Sequence, residues 1–422
     1  MMKRVVLFVL IVLVGGVVCA STIPTNLPEY KAVVRSRADK VRSISDEAKF
    51  YLVTCEPGEE VYARFGHSGL RVYDPENGID DVFHWGLFSF DTPNFIGRFI
   101  SGNTDYEMGV FGTKYFMREY IQRGSSVYAQ ELNLTAEQKH ILWAKLWTNY
   151  HPDNRKYRYN FIYDNCATRP YQLVLNAYNY DVALKLNLHK TSYRDIINKY
   201  VPTKSILNTG INLIIGKLAD KHISTQESAA FPLYTMDALN HSFFNQDGTL
   251  TPIVKDQIVM HKAETKVLNA NPLVFWLSII IPLILALVCI FYSAKRQRYL
   301  PIFTQLMLFV SGLVGVVIFY LGFFSHHPLV SDNMNLLWCN PLNIILAILL
   351  LIRHKSLRNI KFYLSLITYI LSLSFIIVLC FSIQETTIQI FSIWILMSAI
   401  YRTIVKTYNY KVKNKLHKSI KK

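Results

Sequence analysis

The chain of 422 residues is 51% hydrophobic with a mean hydropathy of +0.20, which excludes an ordinary soluble enzyme and leaves room for two or three domains. Its formal net charge is +16, but the basic residues ahead of residue 273 are scattered and form no stripe interleaved with aromatics, so nucleic acid is excluded as a partner.

Residues 1–20 open with Met1-Met2-Lys3-Arg4, continue as an uncharged apolar run from Val5 to Val18 and close on Cys19-Ala20. A short basic start, an apolar stretch and small residues form an export signal, cleaved or retained as an anchor. Gly16-Val17-Val18 match the small residues of a lipoprotein box poorly, so Cys19 is not read as a lipidation site.

The region 21–272 is then the exported domain. Phe50–Cys55 is a β-rich run closed by Glu56-Pro57-Gly58-Glu59-Glu60. A second strand, 66–73, ends at Asp74-Pro75-Glu76-Asn77-Gly78, and a third runs 81–88. The turn between them is short enough for a hairpin, which brings His67 and His84 into reach of each other. Val127–Leu132 is another strand. Thr135 then caps a helix, Gln138 closes its capping box, and Ile141, Leu142, Leu146 and Trp147 supply its apolar face.

The aromatic segment 157–165 leads into Cys166. Asp164 and Asn165 are N-cap types, and Pro170 is tolerated in a first helical turn, so Cys166 is expected at a helix N-terminus. Backbone N–H groups there, that of Ala167 included, would favour a thiolate and serve as oxyanion donors. A thiol with a histidine to take its proton is the equipment of nucleophilic catalysis: Cys166 as nucleophile, His67 as base, His84 as orienting partner. Each has a plainer reading: Cys166 as a buried core residue, His67 as a hydrogen-bonded sheet histidine, His84 as a surface residue beside Trp85. His140, His151, His189 and His222 have no metal-like spacing with Cys or carboxylates, so no zinc site and no other cofactor is expected. Between 203 and 272 the most apolar patch is Phe231-Pro232-Leu233-Tyr234-Thr235-Met236, a lid, a membrane-resting segment or a plain linker.

Five apolar segments follow, at 273–293, 301–324, 336–352, 362–382 and 388–401, each long enough or nearly so to cross a bilayer. Lys295, Arg296 and Arg298 follow the first; Arg353, Lys355, Arg358 and Lys361 follow the third; the basic tail 402–422 follows the fifth. The loops 325–335 and 383–387 contain no Lys or Arg, so the alternation puts the basic loops and tail in the cytoplasm and 21–272 outside it. Cys289 and Cys380 lie inside spans as small apolar fillers, and a Cys55–Cys166 disulfide is open to an oxidising compartment. The loop carrying His327, Asn333 and Asn335, with Trp338 after it, offers groups for a lipid headgroup or a protein substrate at the interface, or is an ordinary polar loop with an interfacial aromatic.

Phe65-Gly66-His67-Ser68, Trp85-Gly86-Leu87-Phe88-Ser89-Phe90 and Asp164-Asn165-Cys166 resemble the exported domain of the Lnb-type lipoprotein N-acyltransferases of Bacteroidota over about residues 45–200, and the five spans resemble that family's membrane domain. The order of His first and Cys later, the reverse of papain, is also similar to lecithin:retinol acyltransferase and its relatives. The resemblance implies an α+β exported domain of permuted papain-like type, an antiparallel sheet plus helices, ahead of an all-α five-span domain in a bacterial inner membrane. It implies that Cys166 takes an acyl chain from a phospholipid as a thioester, with His67 as base and His84 orienting it. The chain then passes to the α-amine of the N-terminal cysteine of a diacylated lipoprotein. The family carries Asn as often as His at the position of His84. Two rival readings are a cysteine peptidase or amidase acting on cell-wall peptides, and a non-enzymatic envelope protein that binds lipid or peptide.

Overall fold

The computed structural model describes residues 43–89, 93–179, 181–184, 191–202, 204–246, 248–264, 272–295, 302–352 and 354–380. The expected export signal at 1–20, the loop 383–387, the fifth span at 388–401 and the basic tail at 402–422 lie outside the described residues, as do Phe90 and His189.

The first strands run β1 (Lys49–Cys55), β2 (His67–Asp74), β3 (Ile79–Leu87), β4 (Asp105–Gly112), β5 (Val127–Leu132) and β6 (Lys156–Arg158). After β7 (Val182–Leu184), β8 (Ser242–Gln246) and β9 (Thr249–Pro252), which make a small antiparallel sheet of their own, comes β10 (Val254–His261). The main sheet has the order β10-β5-β1-β2-β3-β4-β6 and every neighbouring pair is antiparallel.

Alternate residues of a strand point to opposite faces, and here both faces are covered. Phe50, Leu52, Leu70, Val72, Phe83 and Trp85 share one core with Leu142 and Leu146 of the helix Ala136–Tyr150 and with Tyr171 and Val174 of the helix Thr168–Ala177. Tyr51, Val53, Cys55 and Val82 share the other with Phe116, Met117 and Tyr120 of the helix Thr113–Arg123. Two covered faces are why β1 reads as a continuous apolar run rather than an alternating one. The capping box at the helix Ala136–Tyr150 is formed by Thr135 and Gln138 as its sequence predicts.

The β2–β3 turn is held by the buried Asp74, whose carboxylate accepts from Ser45 N–H (2.8 Å), the Ser45 hydroxyl (2.9 Å) and the Asn77 amide (2.8 Å). That turn sets Gly69 opposite His84, which makes His67 and His84 diagonal neighbours on one face. The Phe231–Met236 patch is neither lid nor linker. Phe231 is fully buried among Phe65, Phe161, Tyr193 and Tyr200, and Gln130 of β5 donates to Met236 O (2.8 Å). Its apolar character reports a second core, which backs the loop that precedes His67.

Helices Pro272–Lys295, Ile302–Phe324, Leu342–Leu351 and Arg358–Cys380 fall on the first four expected spans. Ile302–Phe324 and Met334–Leu351 are long and apolar enough to cross a membrane by length and composition. The third segment begins as a 3-10 turn, Met334–Leu337, and becomes regular helix only from Leu342, past Pro341, which has no N–H to give.

The loop 325–335 joins this helical unit to the sheet domain. Leu329 O accepts from Gly216 N–H (2.6 Å) and Asp332 O from Lys217 N–H (3.2 Å). Asn333 and Asn335 donate their amides to Leu213 O, and Asn333 also to Ile214 O, at the free C-terminal end of the helix Ile206–Ile214. Behind it, Arg194 is buried at 1% exposure, paired with Asp220 and donating to Asn212 Oδ1 (2.9 Å), Ile215 O (3.3 Å) and Gly216 O (3.0 Å).

Candidate active site

The site is built at the end of β2 and β3 where the Cys166 turn meets the sheet. Gly66, at φ +79°, starts β2 with its Cα against β1: a Cβ there would fall 2.5 Å from Cys55 O, so no larger residue fits ahead of His67. Gly86 is the second such position. It sits in a register shift between Trp85 and Leu87, at φ +103°, and a Cβ on it would lie 3.6 Å from Cys166 Cβ and 3.9 Å from His67 Cε1. The bulge thus opens a spot at which Cys166 and His67 converge.

His67 Nε2 and His84 Nδ1 are 3.0 Å apart. His84 is 5% exposed, with Phe111 and Phe116 at ring distances of 5.0 and 5.3 Å. Burial pushes its pKa down to about 3, so it stays neutral across the physiological range. In the tautomer in which His67 Nε2–H donates to His84 Nδ1, His67 Nδ1 keeps a lone pair, the form a general base requires. His67 itself stacks on Tyr120 (5.9 Å, 18°). Burial, the neighbouring His84 and the charge of Arg123 hold it well below the ordinary histidine value.

Cys166 is half-buried and, like Cys55, a free thiol. Burial pushes it up to about 11, against hydrogen bonds from the backbone N–H groups of Ser68 and of Cys166 itself. This departs from the expectation of a ready thiolate at a helix N-terminus: the helix begins only at Thr168, and burial raises the thiol more than its two hydrogen bonds lower it. The resting pair is therefore a neutral thiol and a neutral imidazole, and the proton moves as the sulfur attacks. The acid limb of Cys166 acylation by a soluble ester should accordingly lie below pH 6.5, the ordinary histidine value, because the depressed His67 keeps its lone pair there. A limb at 6.5 or above in the kcat/KM profile would contradict this arrangement.

Asn165, 3% exposed, holds the turn. Its Oδ1 accepts from Ala167 N–H (2.8 Å) and Thr168 N–H (3.0 Å), and its amide donates to Phe161 O (2.6 Å) and Ala230 O (2.9 Å). The N-cap position itself is Ala167, so Asn165 acts one turn ahead of the helix rather than as its cap, and the Ala167 N–H expected as an oxyanion donor is already in use. The N–H groups of Ser68 and Cys166, which already face the sulfur, are left for that role. Asp164 is not a cap. Its carboxylate pairs with Arg169 at 2.5 and 2.8 Å, and the guanidinium lies 3.6 Å over the Tyr157 ring. Burial raises the hydroxyl pKa of Tyr106, Tyr157 and Tyr159, and a charge on Cys166 raises each of them further.

His327, Asn333, Asn335 and Trp338 are not gathered at this site. His327 Nε2 contacts Phe99 O (2.6 Å), the two asparagines hold the joint, and the buried Trp338 donates to Asn335 Oδ1 (3.0 Å). His327, Asn333 and Asn335 thus link the two units, and Trp338 steadies Asn335 within its own. Gly86 and the Ser68 N–H were missed as site groups; the Trp85-Gly86 pair inside a strand pattern was the available signal.

Two family models match the chain: the Lnb N-terminal periplasmic domain over residues 37–202 and the Lnb transmembrane domain over residues 262–413. No curated protein and no solved structure matches it.

Proposed function

From the premise that the chain is an Lnb-type protein, a periplasmic α+β domain followed by a helical transmembrane domain, we propose that it is a thiol acyltransferase that completes lipoproteins. The observation that carries this reading is the convergence of Cys166 and the His67–His84 pair at the Gly86 bulge, in a domain tethered to membrane spans.

In the first half-reaction His67 Nδ1 takes the thiol proton and Cys166 Sγ attacks the carbonyl of a phospholipid ester. The N–H groups of Ser68 and Cys166 receive the oxyanion. The ester C–O bond breaks, the lysophospholipid oxygen takes the proton from His67, and a thioester remains. In the second half the free α-amine of a diacylated lipoprotein's N-terminal cysteine attacks that thioester. His67 accepts an amine proton and returns it to the departing sulfur, which leaves an amide and the original thiol. His84, unable to ionise, offers the acceptor that steadies His67 while it is charged. The half-buried setting of Cys166 limits the water that would hydrolyse the thioester.

Incubated with phospholipid and no acceptor, the protein should gain the mass of one acyl chain at Cys166, removable by hydroxylamine. A diacylated lipopeptide with a free α-amine should discharge it as an amide-linked third chain, and an N-acetylated one should not. Cleavage of cell-wall peptides with no acyl adduct would instead assign the site to a peptidase or amidase. Full function after Cys166→Ser would assign it to binding without catalysis.

A further inference from the structure

The short helix Phe95–Ile100 buries none of its residues, and Ile96 (53%) and Phe99 (50%) are among the most exposed apolar side chains of the sheet domain. It is nevertheless tied to the helical unit. His326 N–H donates to Ser101 O (2.9 Å), and His327 Nε2 contacts Phe99 O (2.6 Å), just beyond the end of the Ile302–Phe324 span. The span ends in Phe323 and Phe324, both exposed. An exposed apolar helix therefore sits where the periplasmic domain meets the end of a membrane helix.

Behind that helix the rings form a row. Phe99 lies 5.8 Å from His327, Phe95 6.1 Å from Phe99, Phe88 5.9 Å from Phe95, Tyr106 4.9 Å from Phe88 and Tyr159 4.2 Å from Tyr106. From Phe99 to Tyr159 successive planes are within 21° of parallel. The row begins at the membrane-domain loop and passes through Phe88, two residues from Gly86, where an added Cβ would lie 3.6 Å from Cys166 Cβ.

We propose that the Phe95–Ile100 helix and the aromatic row behind it form the path by which an acyl chain of a membrane phospholipid leaves the bilayer and reaches Cys166. The physical need is plain: each methylene drawn into water costs about 0.8 kcal/mol, so a long chain cannot rise to a thiol outside the bilayer without apolar cover. The path rests on the acyl-transfer reading for its purpose, but not for its existence.

Two experiments on the full-length protein test it. The first compares Ile96→Ser/Phe99→Ser with wild type, reading Cys166 acylation by mass from two donors. With long-chain phosphatidylethanolamine in vesicles the variant should lose about tenfold or more, the cover for two methylenes. With dibutanoyl phosphatidylcholine, soluble as a monomer, it should match wild type. Equal loss on both donors, or no loss on the long one, overturns the path. The second uses Cys166→Ala, which needs no chemistry, in vesicles of a phospholipid bearing a diazirine at its acyl terminus. Photo-adducts on Phe88, Phe95, Ile96 or Phe99 support the path, even if the wild type never transfers a chain. Adducts confined to the membrane helices overturn it.

Discussion

With His67 replaced by alanine, acylation of Cys166 at pH 7 is expected to fall by a factor on the order of 10⁴, because a thiol pushed up to about 11 is ionised only to about that extent without a base. The same argument predicts recovery: the His67→Ala rate should climb about tenfold for each pH unit toward 11, as solvent takes over the proton. Wild type should not share that slope, since its base works within the pair. Cys166→Ala has nothing to recover and should give no acyl adduct at any pH. The decisive measurement is the rate of adduct formation with a soluble ester across the alkaline range, with circular dichroism showing that both variants are folded. A His67→Ala protein close to wild type at pH 7, or a loss that pH does not repair, would remove His67 as the base.

The largest effect on stability should come from Arg194→Met. The guanidinium is buried, its charge is met by Asp220, and its remaining donors go to Asn212, Ile215 and Gly216 in the turn that docks onto the loop 325–335. Removing one member of a buried pair leaves the other charge uncompensated, which typically costs about 3–5 kcal/mol, and here several carbonyls lose their donor as well. Asp220→Asn keeps the hydrogen-bond acceptor but leaves the buried guanidinium charge unmatched, so it too should destabilise. Thermal unfolding in detergent reads both losses. Limited proteolysis should cut Arg194→Met first between the sheet domain and the helical unit, because that turn carries the joint. An Arg194→Met protein as stable as wild type would mean that the joint is held elsewhere.

What was legible in the sequence was local. β1, β2, β3 and β5 are apolar runs stopped by Pro, Gly, Asn or Asp turns, and the helix after Thr135 announces itself by its capping box. The hairpin that pairs His67 with His84 follows from a short turn. β10 was not legible: five of its eight residues are exposed, half are polar, and it joins the sheet only because β5 offers a free edge far back in the chain.

At the site the residue types Cys166, His67 and His84 were determined by the sequence by itself, since only those side chains carry the chemistry. The two-part organisation was likewise carried by hydropathy and matches the two family domains. The tertiary structure decided the rest. It decided that Asn165 and not Asp164 holds the turn, that Gly86 bulges beside the sulfur, and that the amides of Asn333 and Asn335 reach the end of the helix Ile206–Ile214. It also decided that the thiol rests protonated. Each of these depends on what surrounds a group, on the burial that penalises a charge and on the competition among neighbours for one hydrogen bond, and those quantities exist only once distant parts of the chain are packed together.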